Sequence, residues 1–341
     1  MAQISFKPKT ITKKLLSVLN ERGQDVLNKR FGLNGEKKMT LEAIGNIYGI
    51  TRERVRQIEN FALNSIRKSD VYEEEKPVFD EIENNIRSFG GVVSEKDILE
   101  YMSKNEDVHN YLIFLLVLGD PFEHKKEDVH FNPHWVVDRQ IADSVRTALQ
   151  TLFKSLSLED LISEEDIINR FLEKLKDVAE EYRNKEIARR WLGISKKVDK
   201  NVLGDWGIAH SPNIKARGMR DYAFLVIRKN GSPMHFSEVA KEIEKTFNRK
   251  AHVATCHNDL IRDDRFVLVG RGLYALSDWG YASGVVRDVI IDVLKKESPL
   301  SKKEIIERVM RERYVKPNTI LVNLQNPKFF KRDEDGKYYL A

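Results

Sequence analysis

Apolar residues in the first seventy positions recur at helical spacing. Leu15, Leu16 and Leu19 make one stripe and Val26, Leu27 and Phe31 another, and Gly32 and Gly35 bound the turn that follows. Residues 10–68 are therefore predicted to be consecutive short helices. The acidic run Glu73-Glu74-Glu75 with Pro77 predicts a boundary, since like charges repel and Pro cannot continue a helix. Beyond it one pattern recurs four times: a polar start, a helix-like run with an acid near its beginning, a second helical run, and a hairpin-like ending. The polar starts contain Ser94, Ser163, Ser237 and Ser301. In three of them an acid follows three residues later (Asp97, Asp166 and Glu304), close to the spacing of a capping box.

The last two copies align. Pro233, Glu238 and Ile243 match Pro299, Glu304 and Val309 at a spacing of 66, and Thr255, Leu260, Phe266, Gly272, Tyr274 and Leu276 match Thr319, Leu324, Phe330, Gly336, Tyr338 and Leu340 at 64. A two-residue deletion in a loop accounts for the difference, because loops tolerate length changes and packed elements do not. Two or three helices closed by a strand, a Gly turn and a strand describe a winged helix. The expected fold is mainly α: a helix-turn-helix bundle in 1–72, then serial winged-helix modules with small β-hairpin wings. Those modules are expected at 77–140, 141–215 (helical or winged), 216–282 and 283–341.

The sharpest local signal is Leu41 to Ile58. A helix-turn-helix needs apolar residues at positions 4, 8, 10, 15 and 18 of such a segment, and Ile44, Tyr48, Ile50, Val55 and Ile58 stand there. The fifth position must be small so that the helices can approach, and it is Gly45. The ninth must turn the chain in a conformation that Gly adopts without steric cost, and it is Gly49. Thr40 and Thr51 stand where N-caps belong. Val55, Ile58 and Ala62 take the inner face of the second helix, which leaves Arg52, Glu53, Arg56 and Gln57 outside. Arg pairs bidentately with guanine, Glu accepts from cytosine, and Gln pairs with adenine, so this face suits the major groove. A helical hairpin packed on protein is the alternative.

Charge follows the same division. The net charge is only +5, yet residues 1–70 hold 14 Lys/Arg against 7 Asp/Glu, and Lys295–Arg332 holds 11 against 4. Such clustering is the footprint of phosphate binding, or else ordinary solvated surface. Thr51, Arg54, Arg56 and Lys68 are candidate phosphate contacts in the first module. Arg271, between two glycines at a hairpin tip, and Lys302 and Lys303 are candidates in the later ones. The longest apolar run, Tyr111–Leu118, is far short of the roughly 20 residues of a membrane span. Cys256 is the single cysteine, which excludes an intrachain disulfide and an all-Cys zinc site. His252, Cys256 and His257 could supply two zinc ligands from one helix but not four. Gly270-Arg271-Gly272 lacks the remaining residues of a nucleotide loop, and Glu74-Glu75-Lys76 has no strand before it as a nuclease motif would. The expectation is a non-enzyme of a reducing, cytoplasmic compartment, with no catalytic residues, cofactor, metal, membrane or small-molecule substrate.

At Thr51–Glu59, and upstream at Val26-Leu27-Asn28-Lys29-Arg30-Phe31-Gly32-Leu33, the chain resembles region four of bacterial primary sigma factors over about residues 10–68. The resemblance implies a module that binds the promoter −35 element on double-stranded DNA and docks on the β flap of RNA polymerase. It implies base reading by Arg52, Glu53 and Gln57, with Arg56 mainly on phosphate. Leu15, Leu19, Val26 and Phe31 exceed the needs of two short helices and are the expected polymerase-docking residues. Phe61 and Asn64 depart from the basic residues usual in the family. The family carries this module behind others, and here about ten residues precede it, so a self-sufficient initiation factor is not expected. Over roughly 220–281, Pro233-Met234-His235-Phe236, Thr255–Ile261 and Phe266–Leu276 resemble the HARE-type winged helix of the RNA polymerase delta subunit and of chromatin and restriction-modification proteins. The combined expectation is a sequence-specific bacterial transcription factor associated with the nucleoid. A polymerase adaptor that reads no sequence and the DNA-recognition part of a restriction or modification system are the alternatives.

Overall fold

The computed structural model describes residues 4–176, 178–281 and 285–341. The chain forms two compact units, Met1–Ala209 and His210–Ala341. The expected breaks after 72 and after 140 fall inside the first unit, and the one after 282 lies outside the described residues.

The first unit opens with α1 (Pro8–Leu16), α2 (Glu21–Phe31), α3 (Leu41–Tyr48) and α4 (Arg52–Arg67), followed by α5 (Asp70–Glu74) and α6 (Lys76–Ser88). The acidic run expected to mark a boundary instead holds helices together. Lys14 of α1 pairs with Glu74 at 2.9 Å and Glu75 at 2.7 Å, and Tyr72 is buried between those acids and α4 in sequence. Local repulsion is relieved by a cation sixty residues away in sequence, which no window of charges reveals.

Next come β1 (Val92–Ser94), α7 (Glu95–Met102), α8 (His109–Leu118), β2 (Glu123–Lys125) and β3 (His134–Val136), the order of a winged helix. β3 lies between β1 and β2, antiparallel to both, with Val92 opposite Val136 and Val93 opposite Trp135. Strand side chains alternate between faces, and here the two faces serve different cores. Val93 and Trp135 belong to a core shared with the N-terminal helices. Val92 and Val136 belong to a second core, built with α9 (Arg139–Lys154), α10 (Glu164–Lys174), α11 (Lys185–Leu192), β4 (Val198–Lys200) and β5 (Trp206–Ile208). The Trp191 indole N–H donates to the Val92 carbonyl at 3.1 Å, pinning α11 to the sheet.

α8 is apolar all round because it is covered all round: Tyr111, Leu112, Phe114, Leu115, Leu116 and Leu118 are buried. It packs on α1 and α2. The Phe114 ring meets Phe31 edge-on at 5.3 Å, and Arg67 of α4 donates to the Val117 and Leu118 carbonyls, both at 2.9 Å, satisfying the end of α8.

The second unit holds two modules with the same order of three helices and a hairpin, the first with an added strand where the second has a single Leu300–Tyr338 bridge. α12 (Met219–Asn230), β6 (Met234–His235), α13 (Phe236–Phe247), α14 (Val253–Arg262), β7 (Phe266–Gly270) and β8 (Leu273–Leu276) form the first. α15 (Val286–Lys296), α16 (Lys302–Glu312), α17 (Pro317–Leu324), β9 (Phe330–Arg332) and β10 (Tyr338–Leu340) form the second. The repeat spacing carries over to packing: Cys256 and Leu260 of α14 and Ile320 and Leu324 of α17 are the buried residues of equivalent helices. The molecule is mainly helical with small antiparallel hairpins, as the sequence pattern predicts. Ser94, Ser163 and Ser301 each cap a helix by accepting the backbone N–H three residues on. In the remaining copy the cap is His235, two residues before Ser237.

Candidate nucleic-acid interface

The helix-turn-helix is built from local constraints. Thr40 accepts from the Ala43 N–H at 3.1 Å and starts α3, and Thr51 accepts from the Arg54 N–H at 3.2 Å and starts α4. Gly49 ends α3 at φ +63°, a left-handed conformation that favours Gly. A Cβ on Gly45 would stand 2.6 Å from the Ile50 carbonyl oxygen, so the small fifth position is a steric requirement. Val26, Ile44 and Val55 form the core beneath, with Tyr48, Ile50 and Ile58 packed against it. The Tyr48 hydroxyl donates to Asp25, and Arg30 pairs with Glu59 at 3.2 Å, so α2 is tied to both helices.

This support leaves one side of α4 in solvent. Arg52, Glu53, Arg54, Arg56 and Gln57 are exposed, as are Asn60, Phe61, Asn64 and Lys68. The side chains are ordered by one another. Arg56 donates twice to Glu53, at 2.9 and 2.7 Å, which holds the Glu53 carboxyl below its ordinary range. Arg54 donates to the Gln57 side-chain oxygen at 2.9 Å. Arg52 makes no hydrogen bond or ion pair among the described residues. Thr51 is exposed, but its oxygen is used by the helix cap. Asn60 is a further exposed polar residue of α4. It lies three and four residues beyond Gln57 and Arg56, the spacing that puts residues on one helix face.

The four expected docking residues fare differently. Leu15, Val26 and Phe31 are buried inside this chain, Leu15 and Phe31 in the core shared with α8 and Val26 beneath α3 and α4. The expectation that they form an accessible surface is corrected: α8, a partner that periodicity cannot identify, covers Leu15 and Phe31, and the helix-turn-helix itself covers Val26. Leu19 is half-buried and opens on a cleft of about 610 Å³, lined also by Val18, Arg22, Gln57, Ile58 and the exposed Phe61.

Arg271 is exposed at the β7–β8 tip, and Lys302 and Lys303 are exposed in the first turn of α16. Two cations there oppose the helix dipole. Cys256 is buried, and burial pushes its thiol up to about 11. His257 stacks on Phe236 at 4.2 Å, and His252 is exposed at the helix start. These three side chains are thus occupied or separated, and no group of three metal-binding side chains occurs among the described residues. None of the described helices is long and apolar enough to cross a membrane.

Residues 15–68 match the family model described as sigma-70, region 4. The RNA polymerase sigma factor SigA of Bacillus sp is 49% identical over 53 residues, covering 16% of this chain and 14% of that protein. The SigA of Listeria monocytogenes serovar 1/2a (strain ATCC BAA-679 / EGD-e) is 47% identical over 53 residues with the same coverage. The chain thus matches about one seventh of the length of these relatives. The matched segment ends at Lys68, the cap of α4. Residues 15–68 therefore carry the sequence of a sigma-70 region 4 domain, folded as a helix-turn-helix.

Proposed function

We propose that the chain is a sequence-specific DNA-binding protein of bacterial transcription that reads promoter-type DNA through α4 and contacts RNA polymerase. The observation that carries this reading is the exposed row Arg52, Glu53, Arg56 and Gln57 on a rigidly supported helix, within a segment that matches sigma-70 region 4. Arg52, Glu53 and Gln57 read bases, joined by Asn60. Arg56 is positioned by Glu53 for a phosphate, and Arg54 and Lys68 flank the groove. The polymerase contact falls to the cleft beside Leu19 and Phe61, since Leu15, Val26 and Phe31 are inside the protein. The module 216–282 acts as a HARE-type winged helix, a reading supported by its helix–strand–helix–helix–hairpin order. The protein works without a cofactor, in the bacterial cytoplasm on the nucleoid.

Selection of bound sequences from random duplexes, with the full chain, tests the DNA reading. Arg52→Ala or Gln57→Ala should cost about 1–3 kcal/mol on the best site and relax one or two base positions. Lys68→Ala should weaken all sequences alike. An unchanged preference and affinity in Arg52→Ala would show the groove assignment to be wrong. RNA polymerase should co-purify with the full chain from native lysate and be lost with Phe61→Asp. Recovery of DNA without polymerase subunits would remove the polymerase contact.

A further inference from the structure

The four winged modules place a topologically equivalent helix before each hairpin, and their outer faces differ. α8 is buried. α11 spends its cations within its own module: Lys185 pairs with Glu165 at 2.5 Å, Arg189 with Glu164 at 2.9 Å, and Arg190 with Glu186 at 3.3 Å. α14 turns Val253 and Ile261 outward, 42% and 62% exposed. α17 presents Asn318, Thr319 and Val322 to solvent, with Ile320 and Leu324 facing the core.

We propose that α17 is a second sequence-reading helix for double-stranded DNA, entering the major groove with Asn318, Thr319 and Val322 and held to the backbone by Lys316, Lys328 and Lys331. Three observations on this module converge. Asn318 and Thr319 lie in the first turn, the part of a recognition helix that meets base edges, and their side chains make no hydrogen bond among the described residues. Asn pairs bidentately with adenine, and the methyl groups of Thr and Val fit the thymine methyl, so the face is suited to A·T pairs.

The second observation is how the cations are divided. Arg308 and Arg311 are paired with Glu297 and Glu307 at 2.6 and 2.7 Å. Lys316, Lys328 and Lys331, which flank α17, are exposed and make no ion pair among the described residues. The third is the hairpin. Its tip carries Glu334 and Asp335, and Arg332 donates inward to the Gly336 carbonyl at 3.1 Å. Like charge keeps this tip off phosphate, so the helix and not the wing makes the approach.

This inference does not depend on the reading of α4, and the test separates the two. Sequences are selected with the full chain, with an Asn318→Ala/Val322→Ala chain and with a Gln57→Ala chain. The substituted α17 positions are exposed, and circular dichroism and melting should match the parent. The parent should select two blocks of bases. The α17 variant should lose an A·T-containing block, with affinity for the parent site down about five- to 150-fold, as expected for one lost bidentate contact. Gln57→Ala should keep that block. Lys316→Ala with Lys328→Ala should weaken all sequences and lower the salt slope by about two. If the α17 variant selects the parent sequences with parent affinity, α17 does not read DNA and its open face serves another partner.

Discussion

α8 and α17 hold the same place in the winged-helix order and have opposite fates. α8 is apolar on every side and is enclosed between its own module and the N-terminal helices. α17 is apolar on one side only, and Asn318, Thr319 and Val322 stay in water. Topology places a helix before a hairpin in both cases, but the side chains decide whether it becomes core or surface. A winged helix in this protein is therefore a packing unit first, and only some of its faces are left open to solvent.

The contrast has measurable consequences. Phe114→Ala in α8 removes a ring buried against Phe31 and should cost about 3–5 kcal/mol in urea denaturation. Asn318→Ala in α17 should stay within about 0.5 kcal/mol of the parent, as surface changes usually do. Equal losses in the two variants would erase the distinction between the helices. A smaller effect is expected at the turn of the N-terminal helix-turn-helix. Gly45→Ala forces a Cβ towards the Ile50 carbonyl and should cost about 1–3 kcal/mol through overpacking. It should also weaken DNA binding, by altering the approach of α3 to α4. Binding that survives with unchanged affinity would show that α4 reads DNA without this support.

The smallest effect concerns the sheet that α8 leads into. His134 of β3 is buried, its Nδ1 lies 2.8 Å from the Asn132 carbonyl, and burial lowers its pKa. Burial in the folded state thus favours the neutral ring, whereas the unfolded chain takes up a proton near its ordinary pKa of about 6.5. Its contribution is complete above that value and is lost as the pH falls through and below it. The Tm of the parent should fall more between pH 7.5 and pH 5.5 than that of His134→Gln. Equal falls would place the pH sensitivity elsewhere.

The parts of this structure that were legible in sequence are those written locally. Gly45, Gly49, Thr40 and Thr51 specify a turn and two caps within a dozen residues, and the matching positions of the last two modules reveal equivalent helices and hairpins. What stayed hidden depends on contacts between distant segments. Leu15 and Phe31 look like a free apolar surface until α8 is placed on them, and an all-round apolar helix gives no clue to its partner. Glu74 and Glu75 look like a linker until Lys14 reaches them. At the site, helical spacing put Glu53, Arg56 and Gln57 on one face. It did not show that Glu53 already holds Arg56, or that Arg54 holds Gln57, because i, i+3 neighbours bond in only some rotamers. Asn60 was within reach of the same spacing rule.

The packing of α8 on α1 and α2 also bears on how such a helix-turn-helix could be inherited or borrowed. A fragment cut at residue 72 would uncover Leu15, Leu16 and Phe31, and the remainder would uncover Phe114 and its neighbours. Neither piece could travel alone without a new apolar cover. The helix-turn-helix of this chain is thus not a portable cassette: to graft it elsewhere is to transplant the first winged module along with it.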